Sequence, residues 1–279
     1  MVRTRGSTAQ KETPKINDSA EAVTKSKSRK RSRKKNETDE GASKSKKTKS
    51  KKSEDTAQDE GKQEQPKINK AKLDIIFADY GVLPLQDSGL VKIEEATPET
   101  ILALVYMAML TSARISHVLA YQSVKCLLEA GYHDLKKLKQ STWEERTEVL
   151  TKGGYTRYRE KTATALGELA EFVEERYDGD LNNLLKRADS QPEKVRNLLQ
   201  EIKGLGKVGL DIFFDSAQGV WPVLAPFIDP RSLETAKRCG LGDNVNAMWA
   251  ALDRNSIKMC KLSSALTMIR LDKKEKDYE

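Results

Sequence analysis

From Thr100 to Thr111 the chain reads TILALVYMAMLT, twelve residues with no charge and almost no polarity. A run this apolar must be buried, and its length and its neighbours decide the form. It is too short to span a bilayer, and no other apolar run is longer. The segments after it repeat apolar residues at helical spacing. Ile115–Ala130 places Val118, Leu119, Val124, Leu127 and Leu128 on one side. Tyr158–Tyr177 does the same with Ala165, Leu166, Leu169, Phe172 and Val173. Gln191–Ile202, Val208–Ala217, Pro230–Arg238, Val245–Leu252 and Ser256–Leu271 are further helical segments. No alternating run is followed by a hairpin turn, and no long-period repeat is visible, so the expected fold is all-α with short loops.

This pattern stops abruptly on the N-terminal side. Met1–Lys70 is nearly devoid of large apolar residues and rich in Lys, Ser, Thr, Glu and Gln, a composition that cannot offset chain entropy by burial. It is expected to be a disordered basic tail, with residues 71–279 forming one domain. The charge divides along the same line. Of the chain's net +8, Met1–Lys70 holds 21 basic and 11 acidic residues, a net of +10, and the remainder is at −2. The tail is therefore the part that attracts a polyanion, while a folded part that binds DNA must rely on a local patch. Two basic blocks, Lys25–Lys35 and Lys44–Lys52, suit a nuclear import receptor, non-specific DNA contact, or a solvated linker with no receptor. Phosphorylation of their interleaved serines would weaken the first two by cancelling charge. No signal-peptide apolar region is seen near the N-terminus.

Three cysteines, Cys126, Cys239 and Cys260, are too few and too scattered for a disulfide framework and read as reduced core thiols. His117 and His133 give no metal spacing, so neither a metal nor a cofactor is expected.

The segment Ile202–Leu241 carries the chemistry. Lys203-Gly204-Leu205-Gly206-Lys207-Val208-Gly209 reads as a tight turn opening a helix. Glycine lets the backbone approach a ligand closely, and the helix start offers unpaired N–H groups to an anion such as phosphate. Farther on, Ile228-Asp229-Pro230-Arg231-Ser232 starts another helix with a lone carboxylate. Asp before Pro is an ordinary helix cap. The same carboxylate could also stabilise positive charge on a sugar and activate a water. The Gly-Leu-Gly turn likewise has a plain reading, as a tight helix–helix connection.

Together these residues resemble the helix-hairpin-helix DNA glycosylases of the endonuclease-III type. Upstream, Met109–Ser116 is similar to the family's Leu-Ser-x-Gln/Arg junction, and Gly153–Lys161 to its Gly-Leu/Phe-Tyr-x-x-Lys-Ala segment. The resemblance spans about Glu99 to Leu271, with the segments in the family's order. It implies a two-lobed helical fold and duplex DNA as partner. Lys203, Gly204, Leu205, Gly206, Lys207 and Gly209 would hold the DNA backbone, and Asp229 would be the catalytic carboxylate. Arg114 would lie near the flipped base or the gap it leaves, or be a plain surface arginine. Trp221, in the loop before Asp229, is a candidate for stacking on an extrahelical base.

The departures narrow the chemistry. Family members that cut the strand carry a lysine where this chain has Val208. Lys207 is offset by about 100° around the helix. Schiff-base lyase chemistry is therefore not expected. No cysteine follows Cys260, so the four-cysteine iron–sulfur motif is missing. Lys203 replaces the hairpin's usual proline, Pro230-Arg231 replaces the pair after the aspartate, and the loop around Gly219–Pro222 is longer than usual. The expectation is a monomeric nuclear protein, a monofunctional DNA N-glycosylase. The alternatives are a DNA or chromatin binder that kept the fold without the chemistry, and a helical interaction domain whose tail alone meets DNA.

Overall fold

The computed structural model describes residues 68–279. Among them there is no strand, and the regular structure is twelve α-helices with short 3-10 turns at Pro222–Leu224 and Glu275–Tyr278. They are α1 (Lys70–Tyr80), α2 (Pro98–Thr111), α3 (His117–Glu129), α4 (Leu135–Gln140), α5 (Trp143–Lys152) and α6 (Arg159–Tyr177). Then follow α7 (Asn182–Arg187), α8 (Pro192–Leu199), α9 (Lys207–Ala217), α10 (Pro230–Arg238), α11 (Val245–Ala251) and α12 (Ser256–Asp272). The all-α expectation holds, with ends within a few residues of those expected from the apolar spacing.

Local signals explain where helices start. Thr97 caps α2 through a hydrogen bond from the Thr100 N–H at 3.1 Å, with Pro98 in the first turn, where a missing N–H costs nothing. Thr142 and Glu145 form a reciprocal capping box at α5, each side chain accepting the other's main-chain N–H. Asn255 and Asn244 cap α12 and α11.

Two apolar clusters form. The larger is built around α2, whose residues Thr100–Leu110 are all buried, and takes in α3–α9. The smaller joins the N-terminal α1 to the C-terminal α10–α12. α9 belongs to the first cluster by packing on α2 and also contacts α12 of the second. It is the element that ties the two together.

The expected tail, Met1–Lys70, lies almost wholly outside the described residues. Its last three residues do not behave as tail. Ile68 packs against the smaller cluster, Asn69 caps α1, and Lys70 opens that helix. The signal was present downstream, since Leu73, Ile76, Phe77 and Tyr80 have helical spacing. The three cysteines are buried free thiols. Burial pushes Cys239 up to about 11 and Cys260 up to about 12, so both are inert protonated core groups.

Candidate active site

The turn between α8 and α9 holds the Gly-Leu-Gly segment. Gly204 has φ +90, and a Cβ there would lie 3.0 Å from the Met109 methyl, so both backbone and space require glycine. Gly206 is different. Its backbone is ordinary extended chain (φ −80, ψ −178), and an added Cβ would meet nothing within 4 Å. Gly206 is the N-cap of α9, where no side chain caps the helix. The first main-chain bond across this start is Leu210 N–H to Gly206 C=O at 2.9 Å. The N–H groups of Lys207 and Val208, both exposed residues, therefore have no acceptor among the described residues.

The other hairpin residues divide. Lys207 is exposed and makes no ion pair among the described residues. Lys203 is also exposed but is paired with Glu168 of α6 at 2.6 Å. Leu205 points into the core, at 2 % exposure. Gly209 is buried, where a Cβ would meet Leu205 Cδ1 at 2.9 Å and Ser112 Oγ at 3.2 Å. The sequence reading grouped these six residues as one backbone clamp, and the structure corrects that grouping. Leu205 and Gly209 are packing residues that seat α9 on α2, and a contact from either can come only from its main chain.

Asp229 lies at the start of α10, only 1 % exposed. Its Oδ1 accepts the Arg231 main-chain N–H at 2.9 Å and the Arg231 Nε at 3.1 Å. Its Oδ2 accepts the Ser232 hydroxyl, which in turn sits 2.9 Å from Thr267 Oγ1. Burial works to raise its pKa. The hydrogen bonds from Ser232, Asp215 and Arg231 outweigh it, and Asp229 titrates below the usual aspartate range.

A second carboxyl, which the sequence reading missed, stands beside it. Asp215 of α9 accepts the Asp229 main-chain N–H at 3.0 Å. It is 7 % exposed and lines a cavity of about 520 Å³. Burial, and then the neighbouring Asp229 charge, push its pKa well above the aspartate range. The visible hint was an aspartate set directly after the apolar run Ile212-Phe213-Phe214 of a helix otherwise committed to the core.

The cavity lies between the two clusters, with walls from the loop Val82–Asp87, α2, α3, α9, α10 and α12. His117 and Tyr121 form a nearly parallel aromatic step in its wall, centroids 6.4 Å apart and planes 13° from parallel. Arg231 and Arg270 supply positive charge to the same cavity. Burial and then the Arg270 charge lower the His117 pKa, which favours its neutral form. The cavity's size is that of a small-ligand site.

Gln218, fully buried, holds the loop leading to Asp229. Its Nε2 donates to the carbonyls of Asp215 (3.0 Å) and Phe227 (2.9 Å) and to Ser263 Oγ (3.2 Å), and its Oε1 accepts the Phe227 N–H at 3.0 Å. One side chain thus ties the end of α9, the pre-Asp229 loop and α12 together.

One sequence assignment fails here. Trp221 is 1 % exposed, packs edge-on to Phe213 and donates its Nε1–H to Asn182 Oδ1 at 2.8 Å. It is a core residue and cannot stack on a base: the long loop folds inward because its indole has both an apolar pocket and a buried acceptor. Arg114 is exposed on the turn between α2 and α3 and is not part of the cavity wall, so it is not a base-pocket residue. Among the described residues, no three His, Cys, Asp or Glu side chains gather as a metal-holding group. No helix there is long and apolar enough to cross a membrane.

No family model and no curated protein matches the sequence. Two solved structures are similar to it. One is an H. pylori 3-methyladenine DNA glycosylase bound to 1,N6-ethenoadenine, at 14% identity and TM-score 0.42, covering 72% of this chain and 98% of that one. The other is a trapped endonuclease III–DNA covalent intermediate, at 16% identity and TM-score 0.41, covering 72% of this chain and 83% of that one.

Proposed function

We propose that this protein is a monomeric nuclear DNA N-glycosylase of the helix-hairpin-helix type, which hydrolyses the glycosidic bond of a flipped damaged or mismatched base and leaves the strand intact. The observation that carries this reading is the arrangement along α9. Its N-terminus exposes N–H groups, and beside them Lys207, that have no partner among the described residues, and Asp215 on the same helix stands in the wall of the ligand-sized cavity next to the ionised Asp229. From Lys207 to Asp215 is about 12 Å along the helix axis. One rigid element would therefore hold a backbone phosphate at one end and present carboxyl chemistry to an extruded nucleoside at the other.

In this mechanism the flipped base enters the cavity and lies against the His117–Tyr121 step. As the C1′–N bond lengthens, positive charge grows on the sugar and the Asp229 carboxylate stabilises it. Water adds at C1′ to give an abasic site. Arg231, 46% exposed at its side chain, must swing off Asp229 Oδ1 for the carboxylate to face the sugar. Val208 stands where a lyase would carry its lysine, and a valine forms no Schiff base. Arg114, exposed beside the hairpin's partner helix α2, is proposed as a wedge at the gap the base leaves. The test is base release from duplexes bearing a panel of damaged bases, read as alkali-revealed abasic sites, with borohydride trapping expected to give no adduct.

One observation favours a second reading, a DNA or chromatin binder without hydrolysis. Asp229 is almost fully covered, and both its oxygens are occupied by the helix it caps. Base release from no substrate, with DNA binding retained, would select this reading.

The interface makes its own prediction. Gly206→Val is expected to keep the fold at a cost of about 1 kcal/mol or less, because φ there suits any residue and an added Cβ meets open space, while valine caps a helix less well than glycine. It should weaken duplex binding about tenfold, or ~1.4 kcal/mol, by screening the α9 N–H groups from phosphate. Unchanged affinity in a fluorescence-anisotropy titration would remove the hairpin from the interface. The N-terminal basic segment is proposed to supply the long-range attraction. Deleting residues 1–67, which spares the Asn69 cap, should weaken non-specific DNA binding and flatten its salt dependence while leaving thermal unfolding of the domain in place.

A further inference from the structure

We infer that Asp215 is the proton donor to the departing base, which sets the substrate class as bases that leave only when protonated. The inference rests on the glycosylase reading and deepens it.

Two carboxyls meet here in unequal settings. Asp229 Oδ1 and Oδ2 are filled by Arg231 and Ser232. Asp215 has one oxygen on the Asp229 N–H, and its carboxyl also lies against the Asp229 carboxylate and the Ser263 hydroxyl. Asp215 is also the member of the pair that lines the cavity, at 7 % exposure. A carboxyl taken out of water beside a fixed negative charge keeps its proton, and one that lines the cavity can turn that proton from Asp229 to a bound base. The charged and titratable groups around it come from several elements, and His117, Tyr121 and Lys125 of α3 and Asp87 of the preceding loop line the same cavity. Asp229 and Arg231 come from α10, and Arg231 is bound to Asp229. Arg270 and the Cys260 thiol come from α12, and the thiol donates to the Ser216 carbonyl at 3.2 Å. α2, which packs on α9, carries one charged side chain, Glu99 in its first turn. The direction of the Asp215 shift agrees with this placement.

The step balances as follows. The Asp215 O–H gives its proton to a ring nitrogen of the base. The C1′–N bond breaks with its electron pair going to the base, which leaves neutral. Water adds to C1′, and its surplus proton returns to the Asp215 carboxylate. A base already cationic through N-alkylation needs no such proton, so the donor matters only for neutral bases.

The experiment compares wild type with Asp215→Asn on duplexes carrying either a neutral lesion or a cationic N7-methylated purine. Asparagine keeps the acceptor for the Asp229 N–H and removes only the proton. Release of the neutral base should fall about 10²-fold, and release of the cationic base should hardly change. In wild type, neutral-base release should decline as pH rises through the raised Asp215 pKa, and Asp215→Asn should lack that limb. Infrared difference spectra of the free protein near neutral pH should show a protonated-carboxyl band that Asp215→Asn lacks. An ionised Asp215 in those spectra overturns the assignment whatever the activity. So does equal slowing of both substrate classes, which is what a purely structural role predicts, or undiminished release of the neutral base. If wild type releases both bases and Asp215→Asn treats them alike, the donor role alone falls. If wild type releases neither, the glycosylase reading falls and takes the donor role with it.

Discussion

Asp229→Asn is expected to lower base release by about 10³-fold or more while leaving duplex affinity intact. The lost quantity is negative charge beside the sugar, which no neutral amide supplies. The fold should tolerate the change because the surroundings can reorganise around an amide. The asparagine oxygen can keep both Arg231 bonds on the Oδ1 side. On the other side the amide must donate where Asp229 accepted. Ser232 can turn its hydroxyl proton toward Thr267 Oγ1, 2.9 Å away, and accept instead. Asparagine also caps helices well. The expected cost in stability is therefore about 1 kcal/mol, from exchanging charge-assisted bonds for neutral ones. Removing the like charge also lowers the pKa of Asp215, so any residual activity should lose its acid limb at lower pH than wild type. Single-turnover release and anisotropy on one duplex check both halves. Full activity in Asp229→Asn would show that Asp229 is only a helix cap, and parallel loss of binding and release would show that the variant damages the fold.

Gln218→Ala is expected to cost about 3 kcal/mol, a large fraction of a domain's stability. The substitution strands groups rather than merely deleting contacts. The Phe227 N–H loses its acceptor and the Asp215 C=O its side-chain donor where Gln218 itself has no exposure, while the Phe227 C=O and Ser263 Oγ keep only each other, at 3.1 Å. A methyl group also leaves a cavity behind. The consequence reaches the site, because the same four bonds set the loop that ends at Asp229 against α9 and α12. Gln218→Glu should be comparably harmful, since it removes both donors and places a third carboxylate beside Asp215 and Asp229. Urea denaturation reads the loss. A midpoint within about 0.5 kcal/mol of wild type would mean that the loop is held by its apolar packing, with Gln218 incidental.

Hydrophobic spacing made most of the helical architecture legible. α2, α3, α6, α9, α10 and α12 each carry a buried stripe or an all-buried run long enough to outweigh local ambiguity, and their caps are written in Thr97, Ser116, Asp229 and Asn255. α1 was missed although its spacing was sound, because the composition of the preceding residues masked it. The short α4 and α7, of six residues each, have too little periodicity to read.

The site was legible only in part, and the division has a physical origin. Gly204 and Asp229 announce themselves because their roles are local: a left-handed turn and a helix cap depend on immediate neighbours. Whether a side chain faces solvent, core or cavity depends on what packs against it from far along the chain. The sequence therefore could not separate Gly206, open to a ligand, from Gly209, pressed against α2. It offered Trp221 as an exposed aromatic, while Asn182 and Phe213, distant in sequence, bury it. The same limit hid Asp215. Its identity was plain, but its pairing with Asp229, its desolvation and its place in the cavity wall come from α9 meeting α10 and α12. Charge in a protein is governed by environment, and the environment here is assembled only in the tertiary structure.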